Sequence, residues 1–261
     1  MRRIIIALVA LITATAQASL VGYETTISNS APTLWYKNAT TKSGVHMQNS
    51  GSAGSTYQVY SFAQATYTDV WGTANMAFGT TNASPAVTGS TGLFCTGAVG
   101  TVSFLFKTPT TMPTGTYPDL FAQGGNFAVD IGPSGMMRIA YTTNGTTTSY
   151  AYLETLTTDK WYYFAMKWDT SKTGNDLTWY LGSTNSTLKS GNLTIASTGT
   201  NTAPISLGGL KNPMQEIAIW GSELSDASIQ SQFSAIPEPA TVGLFGAAAL
   251  GLMILRRRIM S

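Results

Sequence analysis

The sequence predicts an all-β body, an antiparallel sandwich or barrel, on three observations. Short segments alternate apolar and polar residues with a period of two, polar turn clusters separate them, and helix signals are scarce. Residues 101–107 place Val102, Phe104 and Phe106 on one face. Residues 126–131 do so with Phe127, Val129 and Ile131, and residues 136–141 with Met137, Ile139 and Tyr141. Between them, Gly132-Pro133-Ser134-Gly135 and Thr142-Thr143-Asn144-Gly145-Thr146 read as turns. Further strands are predicted over 149–153, 161–168, 177–181, 192–196, 205–207 and 214–220. In the last of these, Ile217 and Ile219 share the face expected to be buried, and Gln215 is expected at the edge. Residues 28–92 are rich in Ser, Thr, Gly and Asn; early strands are predicted around 57–62 and 68–78, joined by long loops. One helix is predicted, with Ser225 as N-cap, Asp226 in the first turn, and Leu224 and Ile229 at the two ends of a hydrophobic staple. It is expected to end near Phe233.

The two ends of the chain follow other rules. Arg2-Arg3, an apolar run from Ile4 to Ile12, and Ala16-Gln17-Ala18 form the charged, apolar and small-residue regions of a secretory signal peptide. Cleavage after Ala18 starts the mature chain at Ser19; cleavage after Ala16 is the alternative. At the other end, residues 240–255 carry no charge. As a helix rising ~1.5 Å per residue they would span roughly 24 Å, a short transmembrane helix against a hydrocarbon core of ~30 Å. Arg256, Arg257 and Arg258 follow directly and favour a cytoplasmic end. Pro237 and Pro239 fix φ and hold the preceding residues extended, so the chain just outside the membrane is open to a processing enzyme.

Pro237-Glu238-Pro239-Ala240, the glycine-bearing apolar segment and the arginine cluster together resemble the PEP-CTERM sorting signal of bacterial surface proteins, over residues 236–261. The resemblance implies export through the Sec machinery and cutting at or near Pro237, Glu238 and Pro239 by exosortase, a membrane protease. The product would pass to the envelope or extracellular matrix. A permanent single-pass anchor explains the span and the arginines but not the prolines.

Residues 19–235 remain as one domain. Within them, "GTVSFLFKTP", "GNFAVDIGPSGMMRIAY", "LTTDKWYYFAMKWD", "LTWYLG", "ISLGG" and "MQEIAIWGSELSDASI" resemble the succession of strands and turns in LamG-like domains. That resemblance implies a concanavalin A-like, two-sheet antiparallel jelly-roll sandwich. Glu216, Ile217, Ile219, Trp220, Leu224, Ser225 and Asp226 stand at matching positions, whereas Gln215 replaces the usual aspartate and Leu181-Gly182 the usual Asp-Gly turn.

Charge and residue inventory narrow the function. Of 14 basic residues Arg2, Arg3, Arg256, Arg257 and Arg258 lie in the tails, and of 12 acidic ones only Glu238 does. The body is therefore slightly acidic and lacks the basic stripe that nucleic acid requires. Cys95 is the sole cysteine, which excludes an intramolecular disulfide, and reads as a small buried hydrophobe; His46 is the sole histidine, which leaves little for a Ser-His-Asp triad. Nothing has the spacing of a transition-metal site. A glycosidase needs two carboxylates about 5–10 Å apart facing one sugar; no Glu-x-Asp-x-Glu occurs, and Glu154, Asp159, Asp169 and Asp176 fall at predicted turns, where a solvated role is expected. Asp119, Asn126 and Asp130 are the one place where calcium is conceivable, although Asp119 also reads as a turn residue and Asp130 as an outward side chain. No metal or cofactor is assigned.

Trp35, Trp71, Trp161, Trp168, Trp179 and Trp220, with 12 tyrosines and many Thr, Ser and Asn residues, supply stacking rings and neutral hydrogen-bonding groups suited to sugars. Strand tryptophans are also ordinary core residues, and Trp161 and Trp220 read as core or rim. Glycosylation-type triplets at Asn38, Asn82, Asn144, Asn185 and Asn192 follow from the same composition. Three readings stay open: a non-enzymatic module that binds glycan or matrix polysaccharide, a structural matrix component without a discrete ligand, and a glycoside hydrolase.

Overall fold

The structure is a computed structural model that describes residues 20–37, 47–57, 59, 64–67, 70–71, 77–80, 98–123, 127–143, 147–184, 186–195, 204–207 and 213–236. The described chain runs α1 (residues 20–29), β1 (Leu34–Tyr36), β2 (Gln64–Tyr67), β3 (Ala77–Thr80), β4 (Val99–Lys107), β5 (Asp119–Gln123), β6 (Phe127–Ile131), β7 (Met136–Thr143) and β8 (Thr147–Thr155). It continues through β9 (Trp161–Asp169), β10 (Leu177–Ser183), β11 (Lys189–Leu193), β12 (Ile205–Leu207), β13 (Met214–Trp220) and α2 (Asp226–Ser234). Two antiparallel sheets result. The larger has the order β11-β10-β9-β4-β13-β3-β2, with β1 also pairing to β13, and the smaller has the order β12-β5-β6-β7-β8.

The main core lies between the sheets. Val102, Phe104 and Phe106 of β4, Phe164, Met166 and Trp168 of β9, and Phe127, Val129 and Ile131 of β6 meet there, all nearly or fully buried. The predicted alternation of β4 and β6 is therefore what the fold uses. β4, β9 and β13 are buried on their other face as well, because α1 and α2 cover the large sheet from outside. Leu105, Tyr163, Ala165, Ala218 and Trp220 point into that second layer with Tyr23 and Ile27 of α1 and Ile229 of α2.

β13 departs from strict alternation. Its pairing with β4 shifts between Gln215 and Ala218, and Glu216 has φ = 52°. One extra residue in a strand turns the following side chains over. Met214 thus shares the inter-sheet core with Ile217 and Ile219, as the sequence predicts for the two isoleucines. Gln215 is not at an edge: it pairs with Leu105 of β4, is 1% exposed, and its Oε1 accepts the Val70 N–H at 3.2 Å.

The helices follow contrasting signals. α2 begins as predicted: the Ser225 hydroxyl accepts the Ser228 N–H at 3.1 Å, Asp226 opens the first turn, and Leu224 packs in the layer that holds Ile229. α1 is not predicted. Val21, Gly22, Thr25 and Thr26 are poor helix formers; the segment is helical because Tyr23 and Ile27, one turn apart, bury completely against the large sheet. β1 and β5 are likewise unpredicted, and β11 lies at Lys189–Leu193, several residues before the predicted 192–196, where its pairing with β10 places it. Early strands are described at Gln64–Tyr67 and Ala77–Thr80, and most of the predicted 57–62 and 68–78 lies outside the described residues.

Ala16, Ala18, Ser19, His46, Cys95, Asn126 and the whole segment 237–261 fall outside the described residues, and the predicted transmembrane helix with them. Among the described residues no helix is long and apolar enough to cross a membrane.

Candidate functional site

The outer face of the five-stranded sheet carries no helix in the described chain, and it presents a different surface from the helix-covered side. Register places Asp119 beside Asp130, Asp130 beside Arg138, and Arg138 beside Tyr152, so four polar or aromatic residues form one row across β5, β6, β7 and β8. Tyr150, two residues before Tyr152 on β8, extends the face by one row.

Arg138 organises it. Its Nε donates to both carboxylate oxygens of Asp130, at 2.7 and 3.0 Å. Its guanidinium carbon lies 3.4 Å from the Tyr117 ring centroid and 4.3 Å from that of Tyr150. Tyr152 stands beside it across the β7–β8 pairing and helps keep the guanidinium charged. One cation is thus held between two aromatic faces and fixed from below by a carboxylate, an arrangement that immobilises the rings around it. Tyr117 is seated by the β6–β7 turn: a Cβ on Gly132 would come within 1.9 Å of its Cε1, so only glycine leaves room for the ring.

Burial grades steeply across this group. The Asp130 side chain is 3% exposed and that of Arg138 13%, whereas Tyr117, Tyr150 and Tyr152 are 37, 48 and 59% exposed. Burial pushes the Asp130 carboxyl up to about 6 despite the opposing bond from Arg138, and neighbouring Asp119 pushes in the same direction. Asp119 is itself raised by burial, with Arg138 pulling it back. At Arg138 burial is outweighed by Asp130 and Tyr152, because the cation sits nearer solvent than its partner.

This geometry settles several expectations. Asp119 and Asp130 do come together, but Arg138 occupies the position beside Asp130 that a cation would take. Asp130 lies on the outward face as expected and is nonetheless buried, because Arg138 covers it. Two carboxylates side by side suggest a hydrolase; the more deeply placed one is sealed and cannot reach a sugar oxygen. Among the described residues no cluster of three or more His, Cys, Asp or Glu side chains could hold a metal.

The remaining acids do structural work. Asp176, expected to be solvated, is 4% exposed and accepts the Ile195 N–H at 2.7 Å. Glu154 pairs with Lys189, and Asp159 with Lys107. Asp169 accepts from its own turn at Ser171. Trp35, Trp71, Trp168 and Trp220 are buried, and Trp161 and Trp179 pack against the cores as half-buried residues. The exposed rings are tyrosines, and period-two reasoning does not select Tyr150 and Tyr152, because aromatic alternation around Ala151 reads as an inward face.

The chain's similarities to known proteins bear on its two parts separately. A family model described as the PEP-CTERM protein-sorting motif matches residues 235–258. The chain carries that sorting motif. Curated proteins offer no match to the sequence. Among solved structures, the body is similar to the ligand-binding domain of botulinum neurotoxin serotype D solved with N-acetylneuraminic acid, with a TM-score of 0.55 at 14% identity over 79% of this chain and 51% of that one. It is also similar to the binding domain of botulinum neurotoxin DC solved with rat synaptotagmin II, with a TM-score of 0.54 at 12% identity over 80% and 52% of the two chains. The chain spans about half the length of these neighbours, and at such identity the likeness is one of fold: a lectin-like β-sandwich.

Proposed function

We propose that this is a secreted, envelope-sorted bacterial surface protein. In this reading residues 19–235 form one LamG-like jelly-roll domain that binds glycan or matrix polysaccharide without catalysing its cleavage. The observation that carries the binding reading is the tyrosine face: three exposed rings held rigid by one arginine, with the arginine itself anchored on a buried carboxylate. Sugar rings stack on such aromatic faces, and rings that are already fixed lose little freedom on binding. The face has two carboxylates against one guanidinium, so it suits neutral rather than acidic sugars.

Sorting acts at the other end. The Sec machinery exports the chain, signal peptidase cuts beside Ala16 or Ala18, and the helix at 240–255 with Arg256, Arg257 and Arg258 holds the C-terminus in the membrane. An exosortase-type protease then recognises Pro237, Glu238 and Pro239 and releases the body to the surface. A glycan array probed with purified residues 19–236, with and without calcium, tests the binding half. Binding to neutral glycans in both conditions is expected; an array without any binding leaves the structural-matrix reading in its place.

A further inference from the structure

On the opposite side of the sandwich, beneath α1, the large sheet carries a second polar group that the tyrosine face does not involve. The rings of Tyr23 and Trp71 lie 5.5 Å apart at 58°. Trp35 donates its indole N–H to Glu216 Oε2 at 2.9 Å, and Tyr163 donates its hydroxyl to Gln232 Oε1 at 2.8 Å. Tyr23 is fully buried, and after burial itself it is Tyr163 and Glu216 that raise its hydroxyl pKa well above the usual value, which places that hydroxyl close to both. Three donors here are buried with no hydrogen-bond partner: the Tyr23 hydroxyl, the Trp71 indole N–H and the Gln232 side-chain amide. Each such group is left without the bond that water would give it, a cost that the large majority of buried side-chain polar atoms in proteins avoid. With Tyr23 itself carried by α1, the Trp71 and Gln232 donors mark a place shaped for acceptors that α1 does not bring.

We propose that the surface formed by Trp71, Glu216 and Gln232 is a binding site for one neutral sugar ring, and that Tyr23 is its built-in plug. A phenol is a flat six-membered ring with one hydroxyl, and it fills the space that a pyranose would fill while meeting few of its hydrogen bonds. A sugar stacked on Trp71 would offer hydroxyl oxygens to the Trp71 N–H and the Gln232 amide and a hydroxyl proton to Glu216. An acidic sugar would be repelled by the Glu216 carboxylate. Glu216 is held at φ = 52° in the β13 bulge, a conformation that costs energy and recurs at functional sites.

The plug is built to leave. Of residues 20–29 only Tyr23 and Ile27 are buried. The Thr25 and Thr26 hydroxyls bond back to the Val21 and Gly22 carbonyls, a competition that weakens helices. Beyond its two buried side chains and the partly buried Leu20, α1 is fastened by the Glu24–Lys37 pair, both partly exposed, and just past its end by the Trp220 indole on the Ser30 carbonyl at 2.9 Å.

The test titrates the secreted protein and its Tyr23→Ala variant with glucose, galactose, mannose and N-acetylglucosamine, reading indole fluorescence and Tm. The variant is expected to show saturable binding with a dissociation constant at least tenfold below that of the wild type. Adding Trp71→Phe, which keeps a ring but removes the N–H, is expected to abolish it; every protein titrated also carries Tyr150→Ala and Tyr152→Ala, so that the tyrosine face adds nothing to the signal. A folded Tyr23→Ala protein without saturable binding, or with binding that survives Trp71→Phe, overturns the proposal. Tyr23→Phe supplies an answer that does not depend on the alanine variant folding. Loss of an unpartnered hydroxyl is expected to leave Tm equal or higher, and a fall of several degrees would show that the hydroxyl is bonded and the site already satisfied. The two sites share no residue and the tyrosine face is removed from every protein titrated, so failure here leaves the tyrosine-face reading standing, and the reverse holds too.

Discussion

Burial and pairing pull the Asp130 carboxyl in opposite directions, and burial prevails. Its folded-state value of about 6 lies above the ~3.9 of an unfolded aspartate, so the native state takes up the proton more readily than the unfolded one. The contribution from Asp130 to stability is therefore complete below about pH 4 and is lost as pH rises through about 6. Comparison with Asp130→Asn isolates it: thermal melts are expected to show the wild type gaining on the variant by up to about 2–3 kcal/mol as pH falls from 7 to 4. A difference independent of pH would mean that Arg138 holds the carboxylate ionised throughout. Nothing in the sequence marks this residue as buried, since its neighbours Val129 and Ile131 define the inward face and leave Asp130 outward. Only the strand register, which sets Arg138 directly beside it, shows the cover.

At the scale of elements, alternation was legible wherever one face meets the inter-sheet core. β12 and β13 match their predicted bounds, and β4, β6, β7 and β9 differ only by residues at their ends. Legibility failed where burial comes from a distant element: α1 has unfavourable local propensity and is held by sheet contacts, and the two tyrosines of β8 face outward because Arg138 on the neighbouring strand supports them. The β13 bulge was invisible for a related reason, since Met214, Ile217 and Ile219 look like a simple apolar strand until the pairing with β4 is known. The β6–β7 turn offers a direct check. A methyl group at Gly132 meets the Tyr117 ring at 1.9 Å, so Gly132→Ala must displace the ring from Arg138. The expected cost is about 1–3 kcal/mol, read as a lower denaturation midpoint, with weaker glycan binding alongside. Unchanged stability and binding would show that the Tyr117 seat is dispensable.

For the molecule as a whole, the address was clearer in the sequence than the task. The tail announces itself through three features together, Pro237-Glu238-Pro239, the uncharged run 240–255 and Arg256, Arg257 and Arg258, and the family match over residues 235–258 agrees. Changing Pro237, Glu238 and Pro239 to alanine is expected to leave a longer, membrane-retained form, because in the proposed reading the apolar run and its arginine flank are untouched. Intact mass of the surface-located native protein is expected to place its C-terminus near Pro239; a terminus at Ser261 would make the segment a permanent anchor. The binding face was less legible, because all six tryptophans that composition offers to sugars go into or against the cores, and the exposed rings are tyrosines from separate stretches of chain. That face is the central claim, and its most direct test is equilibrium binding of the strongest array glycan to wild-type protein and to a Tyr150→Ala, Tyr152→Ala double variant. Both rings are largely exposed, so the variant is expected to keep its melting temperature while its affinity falls by about fivefold or more, at ~0.5–1.5 kcal/mol per lost stacking contact. Undiminished affinity in the folded variant would contradict the account.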